Sequence, residues 1–140
     1  PERINRYLSK LSAPLLDRID MHITVQALSQ EELIKANINA PNQSPLIREQ
    51  VIQVRERQIK RQECINANLS AKSCEEVCAL GQNEEVFLNQ AMNQLKLSAR
   101  GFHRLLKVAR TIADISDSAK VSLHHLQQAL SFRHNLQMPK

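Results

Sequence analysis

Glycine is scarce: Gly81 and Gly101 are the only two in 140 residues. They are too few to build a loop that wraps a triphosphate in backbone N–H groups, and no GxxxxGK[ST] run is present. That excludes a self-sufficient nucleoside triphosphatase. Tryptophan is missing and aromatics make up 3%, carried by Tyr7, Phe87, Phe102 and Phe132, which leaves no platform of rings for stacking bases. Neither GxSxG nor HExxH occurs, and no cysteine stands in a nucleophile context, so no complete catalytic site is encoded. Three cysteines, Cys64, Cys74 and Cys78, are an odd number without a secretory signal, the usage of free thiols in a reducing compartment. Cys74 and Cys78 stand one helical turn apart and His124-His125 lies elsewhere, a spacing that matches no common zinc set. Buried apolar thiols are the expectation, and no metal ligand is assigned. No apolar run reaches the length of a membrane span and no signal-peptide pattern opens the chain, so a cytoplasmic, non-membrane protein is expected. The first residue is Pro1 rather than Met, as in a processed product or an excised piece.

What is present favours helices. A hydrophobic content of 42% supplies one ordinary core, and Leu, Ala, Ile, Gln, Glu, Lys and Arg, all compatible with helices, are plentiful. The net charge of +5 favours an anionic partner, nucleic acid or nucleotide phosphate. Residues 97–114 carry the strongest pattern. Ser98 reads as an N-cap, and Leu105, Leu106, Ala109, Ile112 and Ala113 repeat at helical spacing. Arg100, Arg104, Lys107 and Arg110 recur every three or four residues, which sets four cations along one side of the same helix. Arg100 lies in the first turn, where a cation opposes the macrodipole by a few tenths of a kcal/mol. The plain alternative is a solvated basic face.

Along the chain, residues 2–11 suit a helix that Pro14 ends. Ile19, Met21, Ile23 and Val25 then alternate with polar residues as in a strand, whose sheet must come from outside this sequence. Polar residues 29–44 read as a linker after at most a short helix at 31–35. Ser44-Pro45 opens a helix with Ile47, Val51, Val54 and Ile65 on its buried side and Arg48, Arg55, Arg57, Lys60 and Arg61 outward. A short helix at 71–80 should stop at a left-handed Gly81. Asn83 should start the next, with Phe87, Leu88, Ala91, Met92 and Leu95 as its stripe. Ser122 caps the last, with Leu123, Leu126, Ala129, Leu130 and Phe132 inward. The sum is a cluster of four or five helices.

Residues 6–25, with their Leu16-Asp17-Arg18-Ile19-Asp20 core, are followed by Ile47-Arg48, Val51, Arg55, Gln58, Arg61 and Asn66-Ala67. Further on come Leu97-Ser98-Ala99-Arg100 and the run from Val108 to Asp114. In that order these blocks resemble the C-terminal part of the magnesium-chelatase-related AAA+ proteins, closest to their bacterial competence branch. The resemblance covers nearly the whole chain. It implies a mainly α fold: the helical lid domain at 44–140, a linker at 31–43, and at 1–30 a remnant helix and last strand of the α/β core. It implies a ring ATPase, a hexamer, whose phosphate loop, metal-binding strand and sensor 1 lie upstream. Arg18 falls on the arginine finger, acting in trans on a neighbouring subunit, and Arg100 on the sensor 2 arginine that meets nucleotide phosphate in its own or a neighbouring subunit. For Arg18 the plain alternative is an ion pair with Asp17 or Asp20. ATP and Mg2+ are implied for the full-length protein, with none bound to this chain. DNA is the implied partner, through a branch-migration helicase of natural transformation. The same residues fit a chelatase-type ATPase that remodels a metal-insertion partner. A reading outside the family, a small basic helix-turn-helix module within 83–114, lacks the turn glycine of such motifs.

The purified chain is accordingly expected to show no ATP hydrolysis and at most weak nucleotide binding, because the backbone cradle for phosphates is absent. Turnover that follows the chain through chromatography would overturn this.

Overall fold

The computed structural model describes Leu15, residues 18–31 and residues 42–134. The helix expected at 2–11, and most of the short one at 31–35, lie outside the described residues. Among residues 42–134 five α-helices follow one another: α1 (Ser44–Gln62), α2 (Ala71–Cys78), α3 (Gln82–Leu95), α4 (Ala99–Ile115) and α5 (Leu123–His134), with a 3-10 turn, Asn66–Asn68, between α1 and α2. Helix α4 is the axis. It packs on α5, α2, α1 and the 3-10 turn, while α3 closes over α5. Leu105, Leu106, Ala109, Ile112 and Ala113 are all buried along it, as the periodicity predicts. Leu126, Ala129 and Leu130 of α5, Leu88 and Ala91 of α3, and Cys74 and Cys78 of α2 complete the core. Each fully buried leucine contributes about 1.5–3 kcal/mol. The Cys74 and Cys78 thiols point at the backbone oxygens of His103 and Leu106, at 3.8 and 3.7 Å. Hydrogen bonding to Cys74 and burial push the Cys78 thiol far up, so it stays protonated. Among the described residues no three His, Cys, Asp or Glu side chains gather in a way that could hold a metal ion.

The helix ends explain where the chain turns. Ser98 Oγ accepts the Gly101 N–H at 3.1 Å and opens α4 as expected. At α5, burial first, then His124 and Arg110, hold His125 below the usual imidazole value, and its Nδ1 accepts the Ser122 N–H at 3.0 Å. Histidine here takes the part of the capping-box glutamate. Other ends differ from expectation. Helix α1 already includes Ser44, and the side chain that receives the Ser44 N–H is Asn42, at 3.0 Å. Gly81 is the N-cap of α3, with φ −79°, in place of Asn83. The left-handed residue that closes α2 is Ala79, at φ 38°. Glu63, Lys96 and Asp117 also take positive φ, at 61°, 50° and 55°.

Helix α1 departs most from its pattern. Ile47 and Val51 are about half exposed, at 52% and 50%, and the one residue it buries is Gln58. It is held by hydrogen bonds instead. Asp114, fully buried on α4, accepts Arg61 Nη1 and Nη2 at 2.5 and 3.0 Å, Asn66 Nδ2 at 2.9 Å, and Arg110 Nη2 and Nε at 2.9 and 3.2 Å. Its backbone oxygen accepts Arg57 Nη1, and Arg57 Nη2 pairs with Asp117 at 2.8 Å. Asn66 is saturated as well: its N–H reaches Gln58 Oε1, its Oδ1 accepts Arg61 and Gln62, and its Nδ2 also donates to Thr111. Arg110 is therefore not on a solvated basic face. It is 1% exposed, and its remaining donors reach the Ala119 and Ser118 carbonyls at 3.0 and 2.5 Å. The i, i+4 spacing to Asp114 is what turns it inward with its partner.

The alternating segment at 19–25 forms no strand; no strand occurs among the described residues. A lone strand leaves its N–H and C=O groups unpaired. Here Arg18 N–H turns back to the Leu15 carbonyl at 3.0 Å and His22 N–H reaches the Phe132 carbonyl at 2.7 Å, while residues 23–29 run exposed.

Two outcomes are expected. In hydrogen exchange of the chain, residues 23–27 should lack protection while residues 105–113 exchange slowly; slow exchange at 23–27 in a monomeric sample would contradict the unpaired segment. Asp114→Asn should destabilise the chain by about 3–5 kcal/mol in urea unfolding, because it strands Arg110 in the interior. Burial raises the Asp114 carboxyl, but the Arg61 and Asn66 hydrogen bonds and the Arg110 and Arg61 charges outweigh this and hold it below the usual carboxylate range. A depressed folded value stabilises above the unfolded pKa, roughly 4, and is lost as pH falls through the folded one. The gap between wild type and Asp114→Asn should therefore narrow below about pH 4; a gap constant down to the acid transition would refute it.

Candidate functional site

The site grows from the first turns of α4. Arg100 follows the Ser98 cap by two residues and is exposed. Its guanidinium has no hydrogen-bond or ion-pair partner among the described residues. Arg104 and Lys107 follow on the same side, and together with Arg100 and His103 they line one wall of a cavity of about 710 Å³. Met21, Val108, Ile112 and Phe132 supply its apolar part. A ligand with an anionic group and an apolar body suits such a lining.

The expected row of four cations is thus divided by the fold. Arg110 belongs to the buried cluster around Asp114, and Lys107 donates to the Ala67 carbonyl at 2.9 Å. Arg104 Nη1 donates to the Arg18 carbonyl at 2.6 Å and also meets the Asp20 carboxylate. His103 is tied on both nitrogens, Nδ1 to the Ala99 carbonyl at 2.9 Å and Nε2 to Glu75 at 2.8 Å. Arg100 keeps its five donors available.

Arg18 is exposed, and its backbone lies beside α4 through Arg104. It does not line the cavity, and no hydrogen bond or ion pair joins it to Arg100 among the described residues. Asp20, one of the two carboxylates in its plain ion-pair reading, is engaged by Arg104; the other, Asp17, lies outside the described residues. Arg104, like Lys107 and Arg110, is a residue to which the family resemblance assigns no role. Its partners are 84 and 86 positions away, and no local pattern marks such a pairing.

The outward cluster on α1 is likewise divided. Arg57 and Arg61 are turned to Asp114, whereas Arg48, Arg55 and Lys60 remain exposed. Ile47, Val51, Val54 and Ile115 line a groove of about 820 Å³ between α1 and the end of α4.

Comparison with known proteins places this architecture. Residues 41–133 match the family described as "Magnesium chelatase, subunit ChlI C-terminal", and residues 1–33 match the one described as "Magnesium chelatase, subunit ChlI". The chain is 43% identical to competence protein ComM of Haemophilus influenzae over 133 residues, 95% of its own length and 26% of that protein's. It is 38% identical to the uncharacterized protein YifB of Escherichia coli over the same shares. A protein of Mycobacterium tuberculosis is 30% identical over 132 residues. The chain spans about a quarter of the length of these relatives. A helical bundle centred on α4, in a chain matched over two thirds of its length, identifies the chain as a member of the magnesium chelatase ChlI C-terminal family.

Proposed function

We propose that this chain is the lid and arginine-finger portion of a ring-forming AAA+ ATPase, and that the full-length protein is a hexameric motor on DNA, a branch-migration helicase of natural transformation. The observation that carries the reading is the division of cations on α4. The fold consumes Arg110, Lys107 and Arg104 but leaves Arg100 exposed at a cavity, while Arg18 stays exposed with its neighbour Asp20 taken by Arg104. In this reading residues 1–30 end the ATPase core, residues 31–43 link, and residues 44–140 form the lid.

ATP and Mg2+ serve the full-length protein. The donors on this chain suit phosphate oxygens, and no metal ligand on it is assigned. Arg100 meets a nucleotide phosphate as the lid closes. Arg18 reaches the nucleotide of the neighbouring subunit, where a planar guanidinium that never deprotonates forks onto the oxygens of the transferring phosphoryl group. The likeness to a competence protein favours DNA as the substrate of the motor. The family description favours a second reading, a chelatase-type subunit that remodels a metal-insertion partner; stimulation of ATP turnover by branched DNA separates the two.

Mixed rings test the finger. In the full-length protein Arg18→Ala should leave nucleotide binding nearly intact and cut turnover by about 10³-fold or more, since the contact forms mainly in the transition state. Arg18→Lys should not restore it, because an ammonium lacks the planar fork. Arg100→Ala should lower turnover and also weaken binding. Rings that mix Arg18→Ala subunits with subunits disabled in the phosphate loop should regain ATPase above either alone, at boundaries where an intact loop meets an intact finger. No gain in rings that demonstrably assemble would return Arg18 to a structural ion-pair role.

A further inference from the structure

We propose that Arg104 is a positioning residue that binds the Arg18 segment to the lid helix, so that the finger and the Arg100 end of the lid move as one piece. The inference rests on the finger reading of Arg18 and deepens it. Arg104 lies one turn beyond Arg100 on the same side of α4. Its Nη1 alone makes both contacts to the segment, one to the Arg18 carbonyl at 2.6 Å and one to the Asp20 carboxylate. The two bonds bracket Ile19 and fix the backbone of the residue that carries the finger. His22 N–H on the Phe132 carbonyl, at 2.7 Å, is a further anchor, on α5. Residues 19 and 21–29 have no helix or strand of their own, so among the described residues this segment is placed by individual hydrogen bonds, the turn from Arg18 N–H to the Leu15 carbonyl at 3.0 Å among them, rather than by a ladder.

Charge explains why Asp20 is the partner. The neighbours of Arg104 at one-turn spacing on α4 are Arg100, Gly101, Lys107 and Val108, with no carboxylate among them. The Asp20 carboxylate offsets that local excess of positive charge. The same pairing keeps Asp20 from Arg18, whose fork then stays available to a phosphate. With side chains 30% and 56% exposed, the Arg104–Asp20 pair adds little to stability. Its loss should leave the fold intact, unlike loss of the buried Asp114 pairs.

The test uses the full-length protein. Arg104→Ala should lower kcat for ATP by between about ten- and a hundredfold, the cost of a misplaced group, with KM nearly unchanged and the same thermal midpoint as wild type. Asp20→Asn should give a smaller loss of the same kind. Arg104→Lys should retain most of the activity, because both bonds start from one nitrogen and an ammonium offers three donors, in contrast to Arg18→Lys. Rings that mix Arg104→Ala with phosphate-loop-disabled subunits should regain turnover as Arg18→Ala mixtures do, and Arg104→Ala mixed with Arg18→Ala should not. If Arg18→Ala is rescued by loop-disabled subunits and Arg104→Ala is not, or if Arg104→Ala keeps full kcat, Arg104 does not act through the finger. If neither is rescued in assembled rings, the finger reading itself fails and this inference falls with it.

Discussion

The hydrogen bonds that hold α1 against α4 converge on one carboxylate-bearing residue. Asp114 sits in the last full turn of α4 with no solvent access and gathers three guanidiniums, two on its carboxylate and one on its backbone oxygen, from two helices. An isolated buried charge would be prohibitive, and a single ion pair would barely offset desolvation. A carboxylate that accepts two guanidiniums and an amide is a different case, because its hydrogen bonds favour the charged form. The consequence is directional. Apolar packing would let α1 slide along α4, whereas the fork of Arg61 and the four bonds of the Asn66 side chain admit one register.

The sequence reading succeeds where periodicity decides the outcome. Helix α4 repeats apolar residues with the 3.6 period, its cap is a serine, and both appear as expected. It fails at α1, because Ile47 and Val51 carry the same helical spacing but the helix is anchored by Gln58, Arg57 and Arg61. Hydrophobic spacing shows which face could be buried, not which face a polar cluster captures. Gly81 is a similar case: glycine suits both a left-handed end and an N-cap, and Ala79, two residues before it, accepts the positive φ. The strand at 19–25 is encoded as alternation, yet a strand is a relation between two segments, and among the described residues no second segment pairs with it.

The candidate site was legible in part for the same reason. Arg100 is marked by its awkward place in a first turn, and it is the cation of its row that the fold leaves exposed beside the cavity with no partner among the described residues. Arg110 is not distinguished from it by spacing, although an aspartate four residues on is a local signal of an internal pair. The link from Arg104 to Asp20 has no such signal, since it joins positions more than eighty residues apart. Family resemblance assigns residues by position, and the fold shows which of their neighbours are already engaged.

The left-handed helix ends lead to a further point about the scarcity of glycine. Glu63, Ala79, Lys96 and Asp117 each adopt positive φ at a cost of roughly 1 kcal/mol against glycine. Asp117 pairs with Arg57 at the surface, which offsets only a small part of its cost. Ala79 has no polar side-chain group with which to do so. What it contributes lies in the denatured ensemble, where a chain with side chains at its corners samples fewer conformations than one with glycines there, an effect of about 0.4–1 kcal/mol per position. The strain held in four native turns is thus set against a smaller loss of disorder on folding, and the balance is decided as much by the unfolded chain as by the bundle.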